Sequence, residues 1–348
     1  MDYNLYAERI IKDFLRLQDG DALSINTEDI DFPFASTVAK KALETTNVTV
    51  KIVVTENGKP VEVTDFDVED KNPSVPRRMA MLRLKHVERS ITNEAVLEAE
   101  VEKDDLASLQ KLGHLADPIV PGRRISVPWC VVPVFEDEDS EEARLFKEKS
   151  LDGEINNHIK LTDYRKSYME HSDMDLIHLT SDDTDLTLRV PARISFIGGS
   201  STLVDGRSYI NTADFDRISF ALDKDSAEGF LKGTAFVFGK EEEAELKFEK
   251  GVLSVIKGSY KLKKLLSFDE YLQKVGYISL RDKEFILSLG GSLQDSIDNI
   301  LETQEEIPTY VNTSIYSLKV HLNSKISVSY SNFSGKTTEL IRRGFFLD

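Results

Sequence analysis

The feature of this sequence that most constrains its fold is a change of pattern near residue 175. Before that point, segments with helical spacing of apolar residues alternate with short β-branched segments. After it, short strand-like segments follow one another with turn residues between them. Alternating helices and strands are typical of a parallel sheet covered by helices, and closely spaced strands of antiparallel sheets. The sequence therefore predicts a mostly parallel α/β domain at residues 1–175, followed by a β-rich α+β domain at residues 176–348.

The first half contains two clear helical patterns and several strand patterns. Apolar residues from Tyr6 to Leu17 recur at helical spacing, and Pro33 is well placed to open a second helix with Phe34, Val38 and Ala42 on one face. Helices are also predicted at 104–112, 143–150 and 155–169. The segments rich in β-branched residues, which predict strands, are 22–25, 48–54, 79–86, 95–101 and 124–134.

The second half is dominated by predicted strands. Lys250-Gly251 lies between two of them, where a hairpin would turn. Helices are predicted only at 267–274 and 293–301. The predicted strands are 176–179, 185–190, 194–197, 217–222, 233–238, 244–249 and 252–256.

Composition narrows the classes of partner and compartment. The chain has 348 residues, with 44 basic and 61 acidic side chains and a net charge of −17. Such a charge repels nucleic-acid phosphate and anionic membranes, so neither is an expected partner. No stretch approaches the roughly 18–20 apolar residues that span a bilayer. Cys130 is the only cysteine, and the first residues lack a secretory pattern, which together predict a cytoplasmic protein.

Short motifs carry little information about the chemistry. The sequence contains no His-Glu-x-x-His, Cys-x-x-Cys or Gly-x-Ser-x-Gly segment. His171, Asp173, Asp175 and His178 form the most metal-like local cluster. Alternation along a strand would scatter these side chains, so capping and turn roles are the preferred interpretation.

Three segments, Trp129–Pro133, Leu179–Thr187 and Gly206–Asn211, lie in an order that resembles the aminopeptidase T and aminopeptidase S family of metal-dependent aminopeptidases. Leu179–Thr187 is similar to that family's "Leu-His-Ile … Gly-Thr-Asp-Leu-Thr", and Gly206–Asn211 to its "Gly-Arg-x-x-x-Asn". Trp129–Pro133 is similar to its "Trp-x-Val-Val-Pro". Further segments match in order and spacing: 95–101, 232–234, the turn at Gly251 and the tail at 340–345. The resemblance covers most of the chain.

The resemblance implies a dimeric exopeptidase with two divalent metals held by carboxylates and histidines of the C-terminal domain. Paired metals lower the pKa of a shared water and polarise the scissile carbonyl. Carboxylate and imidazole ligands suit zinc, cobalt or manganese. A homodimer acting on peptides is the expected assembly.

The family's ligands transfer poorly onto this sequence. Its first glutamate has only Asp216, or Asp214, as the nearest carboxylate. The second and third ligand positions are matched by Tyr277 and Ile286, neither of which the family's metal chemistry can use.

The last two ligands of the family form a His-x-Asp segment. His321 retains the histidine, and Asn323 replaces the aspartate with a neutral amide. The family's catalytic tyrosine falls near Leu293 and is also lost. His321 and Asp216 are therefore the candidate metal ligands, and catalytic residues are not assigned. A packing role for His321, as a core or surface histidine, is nevertheless the preferred interpretation.

Two functions remain in view. The first is a non-catalytic relative that keeps the fold and binds or regulates a peptide or protein partner. The second is a metal-dependent aminopeptidase that uses a rebuilt metal site of His321, Asp216 and either Glu284 or Asp282. Arg217 is expected to be an ordinary surface residue of a strand; alternatively it supplies a positive charge that neutralises Asp216 or receives a carboxylate.

Overall fold

The structure is a computed structural model of the chain. It describes residues 2–56, 59–63, 78–87, 129–151, 155–191, 196–198, 200–202, 208–211, 215–237, 240–267, 269–291, 309–312, 314 and 317–347. The predictions for 95–101, 104–112 and 293–301 lie outside the described residues, as do Gly206, Arg207 and Asp214.

The chain divides into two compact units, and each is built from separate stretches of sequence. The first contains the described parts of Met1–Ile91, Ile125–Asp163 and Gly199–Asp216. The second contains those of Tyr164–Gly198 and Arg217–Asp348. The chain therefore returns to the first unit after entering the second.

The described helices fall mostly where apolar residues recur at helical spacing. Asp2 caps the first helix by accepting from two backbone N–H groups, and the helix continues directly into a π-helical turn. Pro33 lies in the first turn of the second helix, which buries Phe34, Val38 and Ala42 as predicted. The α-helices are Tyr3–Arg9, Phe32–Thr45, Glu141–Phe146, Ile155–Glu170 and Tyr260–Leu266; π-helical turns lie at Ile10–Phe14 and Lys147–Leu151, and 3-10 turns at Asp29–Asp31 and Glu270–Gln273.

The first unit contains a seven-stranded sheet in the order β3-β2-β1-β4-β5-β10-β9. Its strands are β1 (Asp21–Glu28), β2 (Thr49–Glu56), β3 (Lys59–Val63), β4 (Arg78–Val87), β5 (Trp129–Phe135), β9 (Ser200–Thr202) and β10 (Ser208–Asn211). The pairs β2–β1, β1–β4, β4–β5 and β5–β10 are parallel, and only the two edge pairs are antiparallel. The predicted mostly parallel sheet is confirmed.

The core of this unit lies between its helices and its sheet. Tyr6 is fully buried, and its hydroxyl donates to the carbonyl oxygen of Pro133 at 3.0 Å. Its ring lies 5.1 Å from that of Phe34 and 5.4 Å from that of Phe146. Cys130 on β5 is also fully buried, and this burial raises the pKa of its thiol. The cysteine is therefore an unreactive core residue.

The second unit contains a thirteen-stranded sheet, eleven strands of which follow the order β20-β19-β18-β6-β7-β12-β17-β16-β15-β11-β8, with β13 and β14 added beside β12. All its described pairings are antiparallel. The strands are β6 (Met174–Ser181), β7 (Thr184–Arg189), β8 (Ile197–Gly198), β11 (Ile218–Ala221), β12 (Glu228–Val237), β13 (Lys240–Glu249), β14 (Val252–Lys257), β15 (Val275–Arg281), β16 (Glu284–Gly290), β17 (Ser317–Leu322), β18 (Ser327–Asn332), β19 (Thr337–Arg342) and β20 (Phe345–Phe346). The predicted β-rich second half is confirmed.

In the second unit the turn predicted at Lys250-Gly251 is present, but one helix lies at a different place from the predicted one. Lys250 and Gly251 have φ angles of 52° and 75° and join β13 to β14, as predicted. The helix predicted at 267–274 is wrong in position, because the α-helix occupies Tyr260–Leu266 and only a 3-10 turn follows it. The hydroxyl of Ser259 accepts from the N–H of Leu262 and begins this helix earlier than the apolar pattern suggested.

None of the helices in the described ranges is long and apolar enough to span a bilayer.

Candidate functional site

Five strands of the second sheet bring a row of side chains onto one face. In the order β11-β15-β16-β17-β12, the opposed residues are Ser219, Ser279, Ile286, His321 and Thr234. Residues directly opposed in neighbouring strands share a face. The residues alternating with them, such as Leu280, Leu287 and Val320, belong to the apolar core of the unit. The five opposed residues therefore lie on the face of the sheet that points away from the apolar core. We call them the outer row.

Three positions matched to metal ligands in the resemblance come together on this face. His321 and Ile286 oppose each other in β17 and β16. Tyr277 lies two residues before Ser279 in β15 and so shares the face. Tyr277 and Ile286 are only 3% and 7% exposed, which makes both of them packed rather than free to move. The register of β15, β16 and β17 thus gathers positions that are far apart in sequence.

Asn323 and Asp216 are placed differently. The side-chain oxygen of Asn323 accepts from the backbone N–H of Lys325 at 2.9 Å, so the amide stabilises its own turn. Asp216 is partly buried and belongs to the first unit, whereas His321 belongs to the second. The pairing of His321 with Asp216 as metal ligands stays a prediction.

An ion pair lies beside the outer row. Arg217, just before β11, donates from Nη2 to Oε1 of Glu284 at 2.7 Å. The other carboxylate oxygen of Glu284 accepts from Arg281. Arg217 is only 6% exposed, so the expectation of an ordinary surface residue is wrong. Arg217 is buried because β11 pairs with β15, which places the arginine beside the end of the β15–β16 hairpin.

The pKa of Glu284 reflects these two arginines. Burial opposes ionisation of the carboxyl group, but the charges of Arg217 and Arg281 and their hydrogen bonds outweigh it and hold the pKa of Glu284 below its usual range. The carboxylate is therefore ionised at neutral pH and already shared by two cations.

His321 is an exposed residue of β17, but neighbouring atoms keep water away from part of its ring. This partial desolvation lowers the pKa of His321, and the charges of Arg217 and Lys319 act in the same direction. Glu284 and Glu241 oppose the shift but do not cancel it. The imidazole is therefore neutral at neutral pH, which is the form that binds metals.

Titration of His321 by NMR is expected to give a pKa below the ordinary value of about 6.5. Arg217→Met should raise that pKa because it removes a nearby cation, whereas Lys336→Met should not, because Lys336 is not among the charges that act on His321. Because the folded protein binds this proton less tightly than the unfolded chain, stability should decline as pH falls below about 6.5. An unchanged His321 pKa in Arg217→Met would show that the two side chains do not interact.

The donor set around His321 does not fit a pair of divalent metals. Its neighbours in the outer row are Ile286, which has no donor, and Thr234, which has a neutral hydroxyl. The partly buried carboxylate of Glu284, on the neighbouring strand β16, is held by two arginines, whose charge repels a dication. Across the ranges that the structure describes, no group of three or more His, Cys, Asp or Glu side chains could hold a metal ion.

In the local cluster at residues 171–178, His171 has the turn role expected of it, whereas His178 pairs with a residue of another strand. A ring nitrogen of His171 is hydrogen-bonded to the carbonyl oxygen of Ser167 at 2.7 Å, within the turn that ends its helix. His178 instead contacts Asp185 of the neighbouring strand at 2.7 Å. The two histidines therefore have separate partners.

Two contacts of the site were missed by sequence reasoning. Arg281 and Glu284 flank the two-residue turn Asp282-Lys283 and oppose each other across the hairpin. A two-residue turn places its flanking residues opposite each other, so this turn could have predicted the contact between Arg281 and Glu284. The hydroxyls of Ser219 and Ser279 lie 2.5 Å apart in the outer row, and both residues are buried. No local signal indicates this second contact, because β11 and β15 are separated by more than fifty residues.

Comparison with known proteins agrees with this architecture. The family model described as thermophilic metalloprotease (M29) matches residues 2–293. Five solved chains are similar, among them wild-type AmpT from Thermus thermophilus. That structure has a TM-score of 0.65 and 16% sequence identity, and the match covers 99% of each chain. No curated protein sequence matches this chain. The predicted family and fold class are confirmed.

Proposed function

The chain belongs to the M29 family of thermophilic metalloproteases, and from that premise we propose that it is a non-catalytic member, which uses the family fold to bind or regulate a partner. The proposal concerns what this chain does with the family fold. Since fold alone does not determine function, it depends on the side chains of the site.

The observation that carries the proposal is the chemistry of the gathered positions. The resemblance assigns metal ligands to positions where this chain has Tyr277 and Ile286, both packed and buried. The amide of Asn323 is used within its own turn. Among the positions matched to ligands, only His321 and Asp216 have side chains that commonly bind metals, and one imidazole with one carboxylate does not hold two divalent ions tightly.

The ion pair of Arg217 with Glu284 supports the same proposal. It places a buried guanidinium beside Glu284, whose strand β16 pairs with the strand of His321. A fixed cation can stabilise an acidic side chain that a metal would otherwise neutralise. The arrangement favours a stable polar surface over a centre that activates water.

The proposed partner is a peptide or another protein, and the proposed assembly is a homodimer in the cytoplasm. The family resemblance supports the dimer. The net charge of −17 supports partners other than nucleic acid or an anionic membrane.

The alternative is an aminopeptidase with a rebuilt metal site. It is favoured by one observation, the presence of His321 and Glu284 on the same face of neighbouring strands. Asp282 contributes less to it, since one of its carboxylate oxygens accepts from the N–H of Phe346 at 2.9 Å and the other lies 3.4 Å from Arg165.

Metal content and peptidase activity separate these two functions. Protein purified without a metal-affinity tag is incubated with zinc, cobalt or manganese, dialysed, and measured by inductively coupled plasma mass spectrometry. The same samples are assayed on a panel of aminoacyl-arylamides. We expect substoichiometric metal and no turnover, in the wild type and in His321→Ala alike.

His171→Ala is the matched control, since it removes an exposed histidine outside the site. Stoichiometric metal with turnover that His321→Ala abolishes and His171→Ala preserves would establish the aminopeptidase instead. It would also show that the ligands include residues other than the positions matched here.

A further inference from the structure

A cavity of about 830 Å³ opens in the second unit where four connections between strands meet. Three are hairpin turns, which join β6 to β7, β15 to β16 and β19 to β20, and the fourth connects β17 to β18, which are not neighbours in the sheet. The β15–β16, β17–β18 and β19–β20 connections are hydrogen-bonded to one another. The N–H of Lys283 donates to the carbonyl of Gly344 at 2.6 Å, and the N–H of Gly344 donates to the carbonyl of Ile326 at 2.8 Å. The walls are therefore tied together by backbone contacts and do not depend on a ligand.

The charge of this cavity is opposite to that of the chain. Its lining includes three basic residues, Lys283, Lys325 and Arg343, and a single acidic residue, Asp182. Among the described residues none of these three cations forms an ion pair. Several other basic side chains of the same unit are paired with acidic ones, including Lys232, Lys247, Lys257, Lys274, Arg281 and Arg342. In a protein of net charge −17, three cations in one concavity concentrate positive potential locally.

Neighbouring groups do not cancel this charge. Asp282 is adjacent to Lys283, but its carboxylate is bound to the N–H of Phe346 and lies next to Arg165. Lys283 lies with its Nζ 4.9 Å above the ring centroid of Phe345, another lining residue. The ring therefore holds the ammonium group at the wall of the cavity without neutralising it.

Hydroxyl groups complete the lining. The Oγ of Ser327 accepts from the backbone N–H of Arg343 at 3.0 Å, so its own proton remains available to donate. Thr180 and Ser324 also line the cavity. Ammonium, guanidinium and hydroxyl donors around one space are the groups that bind phosphate and carboxylate oxygens.

We propose that this cavity binds a small molecule with two or more phosphate or carboxylate groups. Its volume lies within the range of roughly 300–1,000 Å³ typical of small-molecule sites. Three cations spread over three turns match several anionic groups better than one. One lining residue, Asn323, is also a position matched to a family metal ligand, but its side-chain oxygen accepts from the N–H of Lys325 within its own turn, and no residue of the outer row lines the cavity.

Isothermal titration calorimetry with pyrophosphate and with citrate tests the proposal and distinguishes the two oxyanion chemistries. We expect saturable binding of at least one probe, weakened by added salt because the contacts are exposed charges. Arg343→Glu and Lys325→Glu should each weaken that binding roughly tenfold or more, since each replaces an attractive contact by a repulsive one.

Lys336→Glu is the control, because it changes the net charge equally at the β18–β19 turn, outside the cavity lining. Circular dichroism and thermal melting establish that the variants are folded. Absence of saturable binding of both probes, or equal weakening by Lys336→Glu, would overturn the proposal.

Discussion

Replacing Gly276 with alanine is expected to destabilise the β-rich unit by about 3 kcal/mol or more. A Cβ atom at this position would lie 1.9 Å from the carbonyl oxygen of Gly291 and 2.0 Å from that of Gly290. Both neighbours are backbone atoms, so they can move only if β15 and β16 separate. The carbonyl of Gly276 also accepts from the N–H of Leu222, which ties the same point to a third segment.

Urea unfolding followed by far-UV circular dichroism measures this effect, and peptide-level hydrogen exchange locates it to β15 and β16. Gly335→Ala is the control. Gly335 has a φ of 79°, and its added Cβ meets no atom within 4 Å, so only backbone strain of about 1 kcal/mol is expected. Equal urea midpoints for wild type and Gly276→Ala would contradict the close approach described here.

Replacing Glu284 with leucine is expected to cost about 2–3 kcal/mol, the second largest effect. Its carboxylate is bonded to Arg217 and Arg281, whose side chains are only 8% and 18% exposed. Removing the carboxylate leaves two partly desolvated cations close together. Glu339→Leu removes a comparable carboxylate from Arg342 on the surface, where the arginine is 64% exposed, and should cost less than about 1 kcal/mol.

The same substitution should change the response to acid. The folded-state pKa of Glu284 lies below its unfolded value, so its contribution to stability is complete above about pH 4.5 and is lost as pH falls through the lowered folded value. Acid unfolding of Glu284→Leu should therefore depend less on pH below about 4.5 than that of the wild type. Equal costs for Glu284→Leu and Glu339→Leu would show that the Arg217 pair is no stronger than a surface contact.

Much of the secondary structure could be predicted because its signals are local. The strand at residues 48–54 and the turn at Lys250-Gly251 are each indicated by residues next to one another in the sequence. Both elements are present in the structure. The helix at Tyr260–Leu266 was missed because its start depends on the cap by Ser259, a contact of one side chain, and on three leucines that it buries in the core. Helical periodicity over so short a segment is a weak signal.

The candidate site could be predicted only in part. The resemblance identified Tyr277, Ile286 and His321 as related positions, and strand register places them on one face. Nothing in the sequence near Arg217 indicates that it is buried or that Glu284 is its partner, sixty-seven residues later. Its burial follows from pairing between β11 and β15, which is a long-range contact.

By itself, the sequence determined the two kinds of architecture in this protein, since the period of its apolar residues states which segments are helices or strands and which side chains alternate to the same face. Tertiary structure alone decided which strands are neighbours. It brought β10 back beside β5 in parallel, and it set β15, β16 and β17 in the register that aligns Ser279, Ile286 and His321. The physical reason is that alternation has a period of two and is encoded locally, whereas register is selected by burial of the whole core, to which residues distant in sequence contribute together.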